Sequence, residues 1–177
     1  TFESPTVAAL AYAIDRAGGE YQPIPKAAEG EYYSMSSAQK RQYIISRRDE
    51  LGVVYNIPVA LKPRGHVDLA RGRECFRALI QRHEILRTGF HMLDGEAVQK
   101  IHPEVDCGIA TEQRAGLHDA DLKQLLAEFT QPFDLERAPL IRLKVVYCED
   151  VCVLLFDVHH MVSEGMTMYI LLAEFKE

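Results

Sequence analysis

The sequence predicts an α+β domain, an α/β sandwich in which helices pack on a mixed, largely antiparallel sheet. Three observations carry that expectation. Leu140 to Tyr147 and Val151 to His159 are the strongest strand runs, and Glu149-Asp150 joins them tightly enough for an antiparallel pair. Asp94-Gly95 separates two further apolar runs and is a strong hairpin signal. Apolar residues recur at helical spacing in several other segments. Strands mixed with segregated helices do not make a regular parallel βαβ array.

The elements follow in chain order. Ser4 can cap a first helix, Pro5 suits its first position, and Val7, Leu10 and Ile14 repeat at helical spacing. Gly18-Gly19 ends it, and Tyr21 to Glu31 has the prolines and charges of a linker. Ser36 with Gln39 three residues on is a capping-box spacing, opening a helix to about Glu50. Val53 to Leu61 is β-rich, and Pro58 within it points to an edge or a bulge. Asp68 caps a helix whose stripe is Phe76, Leu79, Ile80 and His83. Leu86 to Met92 and Ala97 to Ile101 are the strands of the Asp94-Gly95 hairpin. Cys107 to Gly116 has no regular pattern. Asp119 can cap a helix with the stripe Leu122, Leu125, Leu126 and Phe129, which Pro132 stops. The last helix carries Met168, Leu171, Leu172 and Phe175 on one side.

Composition limits the function. Of 177 residues, 47% are hydrophobic, enough for a real core, and the formal charge of -6 argues against a nucleic-acid partner. No apolar stretch approaches the roughly 20 residues that span a bilayer, so no membrane partner is expected. The four cysteines, Cys75, Cys107, Cys148 and Cys152, form no Cys-x-x-Cys pair. Reduced thiols and a cytoplasmic location are the expectation, although Cys148 and Cys152 could face each other across a hairpin.

The stretch with the most chemistry is His159-His160-Met161-Val162-Ser163-Glu164-Gly165, at the exit of a buried strand and the mouth of a helix. Successive strand side chains point to opposite faces, so Asp157 and His159 face one way and Val158 and His160 the other. The two imidazoles therefore do not share one job, and they do not converge on one metal ion. A packed, hydrogen-bonded histidine pair is the plain alternative. Glu164-Gly165 adds a carboxylate and backbone amides at a helix start, where a developing oxyanion can be stabilised. Ser163 lacks a nucleophile elbow, and no phosphate loop or dinucleotide fingerprint occurs. A histidine without a nucleophile partner suits direct transfer between two bound substrates.

His159-His160-x-x-x-Glu164-Gly165 resembles the His-His-x-x-x-Asp-Gly motif of condensation domains of nonribosomal peptide synthetases. Ser36-x-Ala38-Gln39-x-Arg41 resembles the first core motif of that family, and Arg82-His83-Glu84-Ile85-Leu86-Arg87-Thr88-Gly89-Phe90 resembles the second. The resemblance implies a chloramphenicol acetyltransferase-like lobe at 32–177, a linker at 18–31 and the last helix of a peptidyl carrier protein at 1–17. It implies peptide-bond formation between an upstream carrier-bound thioester and the α-amine on a downstream carrier, in the subclass taking an L-configured donor. His160 and Gly165 are then the catalytic positions, and His159 is structural. Glu164 is the structural acid, paired with Arg82 or Arg87. No cofactor or metal is bound directly, because partner carriers present the 4'-phosphopantetheine arms. The implied partners are the two carriers, an adenylation domain and the C-terminal lobe of the condensation domain.

Two features depart from the family pattern. Position 164 is Glu where the family has Asp, so an altered active-site loop or reduced activity is expected. The chain stops soon after the third motif, so it reads as an N-terminal lobe that is inactive alone. A non-catalytic carrier-docking lobe, an epimerisation domain and a coenzyme A-dependent acyltransferase are the alternatives.

Overall fold

The computed structural model describes residues 5–16, 23, 25–48, 52–65, 67–116, 119–149 and 151–175. The chain divides into two compact units, Thr1–Gly30 and Glu31–Glu177. The smaller unit contains α1 (Val7–Arg16). Thr6 caps this helix, its hydroxyl accepting from the Ala9 N–H at 3.2 Å. The expected cap, Ser4, and the stop at Gly18-Gly19 lie outside the described residues. Pro5 sits before the helix rather than in its first turn.

The larger unit runs β1 (Tyr33–Ser34), α2 (Ser37–Ser46), β2 (Asn56–Leu61) and α3 (Leu69–Arg82). A short 3-10 turn, Glu84–Arg87, leads into β3 (Thr88–Leu93) and β4 (Glu96–Ile101). Then come β5 (Ile109–Gln113), α4 (Asp119–Phe129), β6 (Ile141–Tyr147), β7 (Cys152–His159) and α5 (Gly165–Phe175). Local chemistry sets several of these boundaries. The Ser36 hydroxyl accepts from the Gln39 N–H while the Gln39 side chain accepts from the Ser36 N–H, the full capping box. The Asp68 carboxylate accepts from the N–H groups of Ala70 and Arg71 and starts α3. Asp94 and Gly95 both take positive φ, 50° and 82°, which gives the tight β3–β4 turn its hand.

The strands form two sheets. One is β1-β4-β3, wholly antiparallel. The other, in the order β2-β7-β6-β5, is mixed: β7 is antiparallel to both neighbours, and β5 runs parallel to β6. Pairing also sets which side chains share a face. Val158 lies opposite Ile141, Phe156 opposite Leu143 and Leu154 opposite Val145. All six belong to the main apolar cluster, with Phe76, Leu79 and Ile80 of α3 and Met168 and Leu171 of α5. The alternate residues Val153, Leu155 and Val146 meet Leu125 and Phe129 of α4 on the other face. The sandwich is therefore α3/α5, sheet, α4. Strand β7 is covered on both faces, so its sequence reads as a nearly continuous apolar run.

The α+β reading and the largely antiparallel sheet hold, with four corrections of detail. The helix after Ser36 ends at Ser46, short of the expected Glu50. Leu86 belongs to the 3-10 turn, not to a strand, because the Thr88 hydroxyl and the Leu86 N–H bond back to Glu84 and His83 carbonyls. Residues 109–113 form a strand where no regular element was expected. Only Ile109 of β5 is buried, and Glu112 is spent on Arg114 and Lys144, so an edge strand of polar residues carried no alternation. Segment β5-α4-β6 is consequently one parallel crossover in the otherwise antiparallel sheet. Cys148 and Cys152 are free thiols, as are Cys75 and Cys107. Cys152 packs in the α3/α5 cluster and Cys148 in the α4 cluster, so strand alternation puts the two on opposite faces.

Candidate active site

Strand β7 delivers the histidine pair to the end of the four-stranded sheet. His159 is its last residue and is 3% exposed, whereas His160 begins the turn and is exposed to solvent. The strand does not run on through the pair, so burial and the turn, rather than alternation, divide the two histidines. His159 faces the α4 side with Asp157, and His160 leaves the strand.

Four hydrogen bonds fix the exit. The His159 N–H donates to the Leu140 carbonyl at 2.9 Å, and the His160 N–H to the Tyr55 carbonyl at 2.8 Å. The Met161 N–H donates to His159 Nδ1 at 3.1 Å. An accepting Nδ1 carries no proton, so neutral His159 holds its proton on Nε2. The Val162 N–H closes the turn on the His159 carbonyl at 3.1 Å. Met161 and Val162 are buried, so the turn is anchored by apolar side chains as well as by hydrogen bonds. The Tyr55 ring stands near both imidazoles, at 6.2 Å from His159 and 6.5 Å from His160, edge-on to the latter.

Glu164 and Gly165 form the entry to α5. The Met168 N–H donates to the Glu164 carbonyl at 3.1 Å, so Glu164 is the residue from which the helix springs. A carboxylate there suits the positive end of the helix dipole. Gly165 has open space where a Cβ would stand. The two arginines named as partners for Glu164 are engaged elsewhere. Arg82, on the last turn of α3, lies 3.7 Å from Glu174 near the far end of α5. Arg87 donates to the His102 carbonyl at 2.7 Å and pairs with Glu84 at 3.6 Å. Among the described residues neither reaches Glu164, whose carboxylate is exposed and makes no ion pair. Helix geometry explains the correction. Glu174 is ten residues along α5 from Glu164, about 15 Å at 1.5 Å per residue, so the α3–α5 tie forms at the other end of the helix.

Around His159 lies a set of side chains that sequence reading did not assemble. Asp157 is fully buried two residues before it. The Asn56 side chain donates to Asp157 Oδ2 at 2.7 Å, and Arg142 Nε lies 3.6 Å from the same oxygen. Burial pushes the Asp157 carboxyl above its ordinary value, opposed by the Asn56 hydrogen bond and the Arg142 charge. Burial likewise lowers Arg142, with Asp157 opposing. Arg142 spreads over the Phe133 ring at 3.7 Å and donates to the Pro132 carbonyl at 3.1 Å. The Phe133 ring meets His159 edge-on at 6.1 Å. One sequence signal was available: Asp157 is the sole charge in the apolar run from Val151 to Val158.

The geometry offers one buried, hydrogen-bonded imidazole, one solvent-facing imidazole, and a helix N-terminus five residues on. Among the described residues, no helix is long and apolar enough to cross a membrane, and no group of three or more metal-ligating side chains occurs.

Residues 29–177 match the family model for the condensation domain. The chain is 41% identical to bacitracin synthase 3 of Bacillus licheniformis over 98% of its length and 3% of that protein. It is 39% identical to gramicidin S synthase 2 of Brevibacillus brevis over 99% of its length and 4% of that protein. The chain therefore spans a small fraction of these relatives. Among solved structures, the starter condensation domain of the rhizomide synthetase RzmA superposes with a TM-score of 0.72 at 20% identity, over 82% of this chain and 38% of that one. A chain of the complex of the X-domain and OxyB from teicoplanin biosynthesis gives 0.76 at 26% identity, over 89% and 35%. The chain belongs to the condensation-domain family.

Proposed function

We propose that this chain is the histidine-bearing lobe of a peptide-forming condensation domain in a nonribosomal peptide synthetase. The observation that carries the reading is the divided histidine pair. His159 is locked into the fold through Met161, and His160 is turned out to solvent at the mouth of α5. In the reaction, the α-amine of an amino acid on a downstream carrier attacks the thioester carbon on an upstream carrier. A C–N bond forms and the C–S bond breaks, releasing the donor pantetheine thiol. A free α-amine has a pKa of about 8, so it needs positioning more than activation near neutrality. His160 accepts the proton that the amine sheds as the tetrahedral intermediate forms and collapses. The Gly165 N–H, at a helix start without a Cβ, stabilises the oxyanion.

The motifs at Ser36–Arg41 and His159–Gly165, with Val162-Ser163 after the histidines, support the subclass with an L-configured donor. The carriers bring the phosphopantetheine arms, an adenylation domain supplies the aminoacyl groups, and the assembly works in the cytoplasm. Met166, Tyr169 and Ile170 line the outer face of α5 and are 65%, 73% and 46% exposed. An apolar helix face of this kind supports a further lobe covering it, and this lobe alone does not turn over.

A non-catalytic docking lobe is the second reading, favoured by one observation: among the described residues the Glu164 carboxylate has no arginine partner, Arg82 and Arg87 being engaged elsewhere. A complete domain with two loaded carriers separates the two. His160→Ala is expected to lower peptide formation about 10²- to 10⁴-fold with the fold intact. Full turnover by that variant would rule the catalytic reading out.

A further inference from the structure

The polar cluster under the corner takes no direct part in the proposed reaction. Asp157 does not touch His160, yet a chain of contacts connects them. Its carboxylate faces Arg142 Nε at 3.6 Å, directly across the β6–β7 pair. The Arg142 guanidinium lies 3.7 Å above the Phe133 ring. Phe133 presents that ring to the His159 imidazole at 86°. His159 Nδ1 takes the Met161 N–H, which fixes the turn from which His160 projects. From this geometry we propose that Asp157 is a positioning residue for His160, acting through Arg142, Phe133 and His159. The inference rests on the catalytic reading of His160 above.

Three features favour positioning over plain structure. Asp157 is 0% exposed, and among the described residues its Oδ1 has no hydrogen-bond partner. An unpaired buried carboxylate oxygen costs stability, and an apolar side chain would fill a strand interior better. The cluster also draws on three separate segments. Asn56 bonds both to Asp157 and, at 2.9 Å, to the Gln131 carbonyl, so it ties β2 and the segment before Phe133 to the same carboxylate. Finally, Arg142 spends its flat face on Phe133 and its Nη2 on the Pro132 carbonyl. It is thereby set to orient a ring, which a lysine point charge would not do.

The test uses the full synthetase subunit with both carriers loaded, in three variants: Asp157→Asn, Arg142→Lys and His160→Ala. Asp157→Asn keeps an acceptor for Asn56 but removes the charge that holds Arg142. Arg142→Lys keeps the charge but removes the planar stack. Each is expected to lower kcat roughly tenfold to a hundredfold, the cost of about 1 Å of misplacement, with little change in KM for either carrier. Nitrogen-15 spectra of labelled histidine read the intermediate link. His159 Nδ1 is expected as a fixed unprotonated acceptor in the parent and as a tautomer mixture in both variants. Arg142 is partly exposed, so Arg142→Lys decides the matter alone should Asp157→Asn not fold. Unchanged kcat in the folded variants overturns the proposal, as does a lost kcat with the His159 tautomer still fixed. If His160→Ala retains turnover, the parent reading fails instead. If His160→Ala is inactive while the other two are fully active, only the positioning role fails.

Discussion

The two ends of β7 are held by different means. At the Cys152 end the restraint is local and apolar. Tyr147 sits opposite Cys152, and the Cys148 N–H donates to the Val151 carbonyl at 2.8 Å across the turn. The flanking side chains simply divide between the two apolar layers. At the His159 end the restraint is remote and polar. Its hydrogen bonds run to Leu140 and Tyr55, and its ring contacts are Tyr55 and Phe133. Asn56 and Arg142 hold the buried Asp157 just below. A strand end that only reverses the chain needs nothing beyond its own turn. A strand end that must aim a side chain is fixed by groups from several elements.

Replacing each histidine in turn is the strongest test of that contrast. His159→Ala leaves the buried Met161 N–H without its acceptor and is expected to cost about 1–3 kcal/mol in denaturant unfolding. His160→Ala removes an exposed side chain and should stay within about 0.5 kcal/mol. Equal losses would erase the distinction between the two positions.

A smaller effect is expected where the His159 end continues into α5. Glu174 ties that helix to α3, with His83 Nε2 at 2.7 Å and Arg82 at 3.7 Å. The His83 hydrogen bond first, and then the His83 and Arg82 charges, hold the Glu174 carboxyl below its ordinary value. A depressed folded-state pKa means that this stabilisation is complete above the unfolded carboxylate value of about 4.3 and is lost as pH falls through the folded value. Asp157 has the opposite sign. Its raised value means that ionising it costs stability, progressively as pH rises through the folded value. Melting curves from pH 7 down to pH 3 should show Glu174→Gln removing part of the acid loss. Over the same range Asp157→Asn should gain on the parent as pH rises. Parallel curves for parent and both variants would contradict both signs.

No effect is expected at the Cys152 end from reductant. Cys148 and Cys152 are free and lie on opposite faces, so adding a thiol should leave the melting temperature unchanged. A drop on reduction would place the two sulfurs together and contradict the register of the hairpin.

Where one local rule decided an element, the sequence was readable. The capping box at Ser36 and Gln39, the Asp68 cap, the Asp94-Gly95 turn and the stripe Phe76, Leu79, Ile80 all appear as expected. The stripe of the last helix also holds, with Met168 and Leu171 buried and Leu172 and Phe175 packed against them. Strand β5 was missed because its stability comes from pairing with β6, not from its own residues. The candidate site divides along the same line. Its histidines and the Glu164-Gly165 entry are contiguous, so a motif displays them. The expected Glu164–arginine pair does not form among the described residues, because Arg82 is taken by Glu174 and Arg87 by Glu84 and the His102 carbonyl.

By itself, then, the sequence determined the contiguous motif that carries His159 and His160, the helix that starts at Gly165, and the family. Period-two side-chain geometry, caps and turns are local properties, and a motif is a contiguous string. Only the tertiary structure decided how that corner is supported. It brought Asn56, Phe133 and Arg142, which stand 101, 24 and 15 residues before Asp157 in the chain, to Asp157 and His159. Strand pairing and close packing choose such neighbours, and neither is written in the spacing of any one segment.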